Sequence, residues 1–121
     1  SEVEKINEIL WNATEAGINA AKPGVTTFEI FNTMNQIIAE GNAVGNNVGR
    51  LGHGLGLQLT EPPSHRPGDN TIVRENMVLT IEPGMEYAEG KMIVHEENIV
   101  IHKNGAELIT KRAPKEIPII K

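Results

Sequence analysis

The 121-residue sequence contains no cysteine. That removes disulfides, thiolate metal sites and cysteine nucleophiles together. Aromatic residues make up only 3% of it, so a core has to be assembled from aliphatic side chains. Basic residues are few: 11 Lys and Arg face 16 Asp and Glu, the formal net charge is −5, and no Lys/Arg cluster exists. A phosphate backbone demands a basic face, so nucleic acid is not expected as a partner. No apolar run approaches the roughly 18 residues that span a bilayer, and no signal peptide opens the chain, so the expectation is a cytoplasmic domain with no membrane partner. The length suits one domain, able to bury roughly two-thirds of its unfolded surface.

What is present is ordered along the chain. Val3, Ile6, Leu10, Ala13 and Gly17 recur at three- and four-residue steps, which predicts an amphipathic helix over 3–21. Pro23-Gly24 ends it, because proline breaks the ladder and glycine accepts a left-handed turn. Thr26 and Glu29 have capping-box spacing for a second helix that runs to about Glu40, with Ile30, Met34, Ile37 and Ile38 on one face and Gly41 as its stop. After Gly41 helix formers vanish and Asn and Gly dominate to Gly56, the composition of loops or short strands. The strand candidates are "NMVLTIEP" (76–83) and "MIVHEENIVI" (92–101). Asn104-Gly105, between "IVIH" and "AELIT", signals a hairpin. Two prolines in the tail "RAPKEIPIIK" forbid a central strand there and predict an edge or extended arm. Helices first and strands later indicate an α+β domain.

Chemistry without cysteine falls to His53, Glu82 and a glutamate at 96 or 97. His53 stands between two glycines, which leaves backbone approach free on both sides. It is equally readable as a loop histidine without consequence. Glu82 closes an apolar strand immediately before Pro83-Gly84, where a carboxylate is costly unless paired or bound to a cation; a solvated strand end is the plain alternative. Glu96 and Glu97, placed inside one strand, would point to opposite faces. Both faces are apolar, so periodicity does not choose between them, and one could simply be buried against Arg50 or Arg74. One imidazole with two carboxylates suits a divalent ion such as Mn, Fe, Co or Zn and Lewis-acid or metal-hydroxide chemistry. Ser64-His65 offers a rival serine mechanism, but no nucleophile elbow precedes Ser64. The glycines of 52–56 do not follow a strand and open a helix as a dinucleotide site would.

Taken together, "GHGLGL", "TIEPGM" and "EENIVI", with "KPGVT" between two helices and "NGAELIT" after the last strand, resemble the C-terminal half of the catalytic domain in the methionine aminopeptidase, prolidase and creatinase superfamily. The resemblance implies half of a pita-bread fold, two helices packed on a curved, mainly antiparallel sheet, with residues 1–121 as a single partial domain. It implies two divalent transition-metal ions held by one histidine and four carboxylates. His53 matches the histidine ligand, Glu82 a metal ligand and acid/base, and Glu97 the bridging glutamate, with Glu96 taking that place if the register is off by one. The implied reaction is hydrolysis of a C–N bond in a small peptide or zwitterionic substrate, of Xaa-Pro dipeptidase or aminopeptidase type.

Two departures accompany the resemblance. The family's paired aspartates lie upstream of the first helix, and the only aspartate here is Asp69. The sequence is therefore expected to need the remainder of its domain, to be inactive and to bind metal weakly alone, and to work as a homodimer. The histidines that prolidase-like members carry four residues before and seven after the ligand are Gly49 and Thr60 here. Thr60 can donate a hydrogen bond to substrate but cannot act as an acid near neutral pH, and Glu61 or His65 is expected to line the pocket. The run "GLQLTEPPSH" is similar to creatinase-type branches that include ectoine hydrolase and a sulfonium lyase, which keeps a non-peptide substrate open. A metal-free binding module on the same scaffold is the third expectation.

Overall fold

The computed structural model describes residues 1–41 and 49–120. Two helices come first. α1 (Glu2–Ala20) starts on a capping box in which Ser1 Oγ accepts from Glu4 N at 3.2 Å. It buries Ile6, Leu10, Ala13, Thr14 and Gly17, while Val3, which the spacing placed on the same face, is 41% exposed. α2 (Thr27–Glu40) has the capping box read from sequence: Thr26 N donates to Glu29 Oε2 at 2.7 Å and Glu29 N to Thr26 Oγ1 at 3.2 Å. Its buried residues are Thr27, Ile30, Phe31, Met34 and Ile38; Ile37 is only partly buried. The two helices meet the sheet at Gly17, where an added Cβ would lie 2.7 Å from Met34 Sδ and 2.9 Å from Ile81 Cγ2. Any side chain there would push α1 off both neighbours.

The strands are β1 (His53–Gly54), β2 (Glu61–Ser64), β3 (Val78–Ile81), β4 (Gly84–Ala88), β5 (Lys91–Val94), β6 (Glu97–His102) and β7 (Gly105–Leu108). Five of them form an antiparallel sheet in the order β2-β1-β3-β6-β7, and β4 pairs with β5 in a separate two-stranded sheet. Leu79, Ile81, Ile99 and Ile101 are fully buried, as alternate residues of β3 and β6 should be when one sheet face is covered by Leu10, Ile30, Met34 and Ile38 of the helices. The core is aliphatic, as the shortage of aromatics required; Phe31, 8% exposed, is the only Phe, Tyr or Trp among the buried residues described. None of the described helices is long and apolar enough to cross a membrane.

Three local readings change. The apolar run 92–101 is not one strand: β5 ends at Val94, β6 begins at Glu97, and His95-Glu96 lie between them, with His95 N bonded to Pro83 O at 3.0 Å. Glu96 and Glu97 therefore do not alternate across one pleat. β4 went unread because "GMEYA" carries no clear alternation of apolar and polar residues. The hairpin forms where expected but turns on Lys103-Asn104, with Gly105 already paired to His102. The tail is the extended arm that its prolines predict: residues 111–120 contain no strand and run along α1, where Asn7 Nδ2 donates to Lys115 O (2.9 Å) and Trp11 Nε1 to Ala113 O (3.0 Å).

Candidate metal-binding cleft

β1 contributes only two residues to the sheet, and both neighbours crowd it. A Cβ on Gly52 (φ +137°) would stand 2.3 Å from Thr80 O, and one on Gly54 would stand 2.4 Å from Pro62 O. Glycine on either side of His53 is thus what lets β1 sit between β2 and β3 at hydrogen-bonding distance. Inside that slot the backbone N of His53 donates to Thr80 Oγ1 at 3.0 Å. Its Nδ1 lies 2.7 Å from Gly54 O, and since a carbonyl only accepts, Nδ1 carries the proton there. In the neutral ring Nε2 then keeps its lone pair, the tautomer of a metal-ligating imidazole, and with a second proton it donates to a carboxylate instead. Gly54 O and Thr80 had no role in the sequence reading, although a threonine inside the apolar "VLTI" strand was a visible signal.

That lone pair faces Glu82. Glu82 N donates to Leu51 O at 3.0 Å, which ties the residue following β3 to the segment just before β1. Its Oε1 lies 3.4 Å from His53 Nε2. A lone pair and a carboxylate repel unless a proton or cation stands between them. Two donors about 2.0–2.1 Å from one tetrahedral ion are roughly 3.4 Å apart, so the pair fits a shared divalent cation. Burial raises the Glu82 pKa above the usual carboxylate range, Glu96 adds to the rise, and His53, Arg50 and the His53 hydrogen bond oppose it. The cleft around them encloses about 160 Å³ and is also lined by Arg50, Thr60 and Val94.

Glu97 is not brought to this cleft. Its side chain is 3% exposed, and its oxygens accept from Thr110 Oγ1 (2.6 Å), Ala113 N (2.8 Å) and Arg112 Nη1 (3.5 Å). The buried ion-pair partner is Arg112, not Arg50 or Arg74, and Arg112 is itself held by Trp11 O (3.1 Å), by Glu15 (3.4 Å) and by the Trp11 ring at 4.3 Å. Nothing in the sequence periodicity pointed to an arginine in the tail. Glu96 is exposed, and it is Glu96 whose charge reaches Glu82. Among the described residues no three His, Asp or Glu side chains converge as a ready metal cluster. His53 and Glu82 face one another, and the charge of Glu96 acts on Glu82.

The remaining candidates separate. Thr60 lines the cleft at its exposed rim. Glu61 turns to its own loop, where its Oε2 accepts from Gln58 N at 3.4 Å. His65 is fully buried: its Nε2 donates to Thr80 O (2.9 Å), Nδ1 has no partner, and burial lowers its pKa to about 4. Ser64 Oγ accepts from Arg50 Nη1 at 3.4 Å, while the His65 ring is spent on Thr80, so no serine–histidine pair forms. Asp69 is consumed by structure. Burial opposes its ionisation, but bonds from Thr71, Ser64 and Thr27 hold it well below the usual carboxylate range.

Two helices on an antiparallel sheet, with a glycine-flanked histidine opposed to a strand-end glutamate, make up a metallopeptidase-like α+β fold. The chain belongs to metallopeptidase family M24, whose pattern matches residues 1–103. It is 36% identical over 107 residues to the Xaa-Pro dipeptidase of Pyrococcus furiosus, an alignment covering 88% of this chain and 31% of that protein. Its fold is similar to the dipeptidase PepE of Mycobacterium ulcerans (TM-score 0.87, 28% identity, 97% of this chain and 31% of that one). It is also similar to an X-Pro aminopeptidase from Thermotoga maritima (TM-score 0.81, 34% identity, 93% and 33%). The chain spans about a third of the length of the curated relatives it matches.

Proposed function

We propose that the protein carrying this chain is a dinuclear-metal hydrolase of the Xaa-Pro dipeptidase type, cleaving a C–N bond in a small peptide. The observation that carries the reading is Nε2 of His53 held 3.4 Å from Glu82 Oε1 while Nδ1 is engaged by Gly54 O, a separation suited to a cation between them. His53 and Glu82 are the donors on this side of the site. Glu96, rather than the hydrogen-bond-saturated Glu97, is the further carboxylate, because its charge acts on Glu82 while Glu97 is committed to Thr110, Arg112 and Ala113. Asp69 supplies no donor, since its oxygens are already engaged.

Filled with Mn, Fe, Co or Zn, such a site acidifies water and polarises a carbonyl. The residues of this chain do the rest. The half-buried Glu82, with its affinity for protons raised by burial, takes the proton of the attacking water and returns it to the departing nitrogen. Gly54 O fixes the His53 ring so that its lone pair stays directed inward. Thr60 offers a hydroxyl at the rim to hydrogen-bond substrate.

The test is metal binding in three single variants of the full protein, read by calorimetry with Mn or Co. Glu82→Gln and Glu96→Gln should each weaken binding by roughly 10- to 100-fold or more, while folded Glu97→Gln should retain it within a few-fold. Loss of metal from Glu97→Gln at unchanged fold, with Glu96→Gln binding normally, would reverse the assignment.

A further inference from the structure

Behind the facing donors, β1 and β3 are not joined by a regular ladder. Gly54 and Leu79 form their register pair, and backbone bonds flank it where Leu55 N donates to Val78 O and Glu82 N to Leu51 O, each at 3.0 Å. At Thr80, between those bonds, side chains take over. His53 N donates to Thr80 Oγ1 at 3.0 Å, and His65 Nε2 donates to Thr80 O at 2.9 Å. The His65 ring lies in the close approach that Gly52 makes possible, since a Cβ on Gly52 would stand 2.3 Å from Thr80 O and 2.5 Å from His65 Cδ2. The backbone of the same residue is tied to the other wall: Leu51 N donates to His65 O at 2.9 Å and His65 N to Gly52 O at 3.0 Å. His65 thus holds the two residues before His53 with its main chain and the residue two before Glu82 with its ring.

Stability alone does not account for an imidazole in this place. The side chain is fully buried, its Nδ1 has no hydrogen-bond partner among the described residues, and burial lowers its pKa to about 4. An aliphatic side chain would carry neither cost. What an aliphatic chain lacks is the donor to Thr80 O, and with it a fixed distance between β1 and β3. We propose that His65 is a positioning residue of the metal site: bonded to Thr80 O, it holds β1 against β3 so that His53 Nε2 and Glu82 Oε1 face one another at the spacing of a shared cation. This rests on the hydrolase reading above and adds to it a residue that touches neither metal nor substrate. A binding pair needs its donors held within a few tenths of an ångström, and removing a group that orients metal ligands from outside costs roughly 10- to 100-fold in affinity.

The experiment uses the full protein as wild type, His65→Leu, His65→Gln and Thr80→Val. Leu offers no donor, Gln carries an amide N–H at a reach similar to that of Nε2, and Val removes the hydroxyl of Thr80. Calorimetry with Mn or Co should show binding weakened by roughly 10- to 100-fold in His65→Leu and kept within a few-fold of wild type in His65→Gln, with urea unfolding showing both folded. A folded His65→Leu that binds as wild type does, or a folded His65→Gln that binds no better than His65→Leu, overturns the assignment. If His65→Leu does not fold, Thr80→Val takes its place: losing the acceptor of His53 N should cost the same factor, and wild-type affinity there overturns the cross-piece. If wild type itself binds no metal, the hydrolase reading fails on its own, and amide hydrogen exchange in the metal-free protein still decides His65. The His53 N–H should then exchange at least ~10-fold faster in His65→Leu than in wild type, measured against the Leu10 N–H of α1, and recover in His65→Gln. Unchanged protection of His53 refutes the positioning role.

Discussion

Glu82 and Glu97 are neighbours by register, since Glu97 pairs with Ile81, the residue before Glu82. Their surroundings are opposite. Glu97 is buried and accepts from a hydroxyl, a backbone N–H and a guanidinium, so its charge is matched within the fold. Glu82 is partly exposed, has an imidazole lone pair for company, and sits near a second carboxylate. The difference teaches where a ligand can act. A saturated carboxylate has no capacity left and stabilises the corner where β6, the tail and α1 meet. An undersaturated one is poor for stability and available for chemistry.

The contrast can be broken most forcefully at Glu97. Glu97→Ala removes the buried counter-charge of Arg112, leaving it only the more exposed Glu15, and should cost up to about 3–5 kcal/mol in urea unfolding. A loss below about 1 kcal/mol would remove the structural role.

His65 gives the next effect, through pH. In the unfolded chain its pKa is near 6.5, and in the fold burial lowers it to about 4. The unfolded state therefore binds a proton that the native state refuses. Stability from this residue is complete above about pH 6.5 and drains away as pH falls toward 4, by up to about 3 kcal/mol. Denaturation midpoints across that window, compared with His65→Leu, should show a steeper acid decline in wild type. Parallel curves would mean that His65 does not remain neutral.

The smallest effect belongs to Glu82. A carboxylate whose pKa is raised in the fold costs stability wherever it is ionised, so Glu82→Gln should be neutral or slightly stabilising at pH 7, within about 0.5 kcal/mol. A clear destabilisation would place Glu82 in the same class as Glu97.

Much of the local order was available from residue pattern. Thr26 and Glu29 specify a helix start by themselves, because a capping box needs only four consecutive residues. His53 and Glu82 stood out because each was chemically out of place, one between glycines and the other at the end of an apolar strand. The choice between Glu96 and Glu97 was not available. It depends on the break at His95-Glu96, which is made by β5 leaving to pair with β4 while β6 pairs with β3, a decision of partners far apart in sequence. Arg50 and Arg112 look alike on paper, and only packing separates a guanidinium that is enclosed from one that is open. Thr60 lines the cleft, whereas His65 is buried against Thr80 and Glu61 turns to its loop, since positions in and beside a short irregular strand carry no reliable face.

The amino-acid sequence alone determined the two capped helices, the aliphatic core, the hairpin, the extended tail and the glycine slot around His53. These follow from local sterics, hydrogen-bonding capacity and periodicity, which act over a few residues. Tertiary structure alone decided which carboxylates are saturated, which arginine is left open, and which imidazole nitrogen keeps its lone pair. Hydrogen-bond satisfaction and burial are properties of groups brought together from distant segments, and no window of the chain contains them.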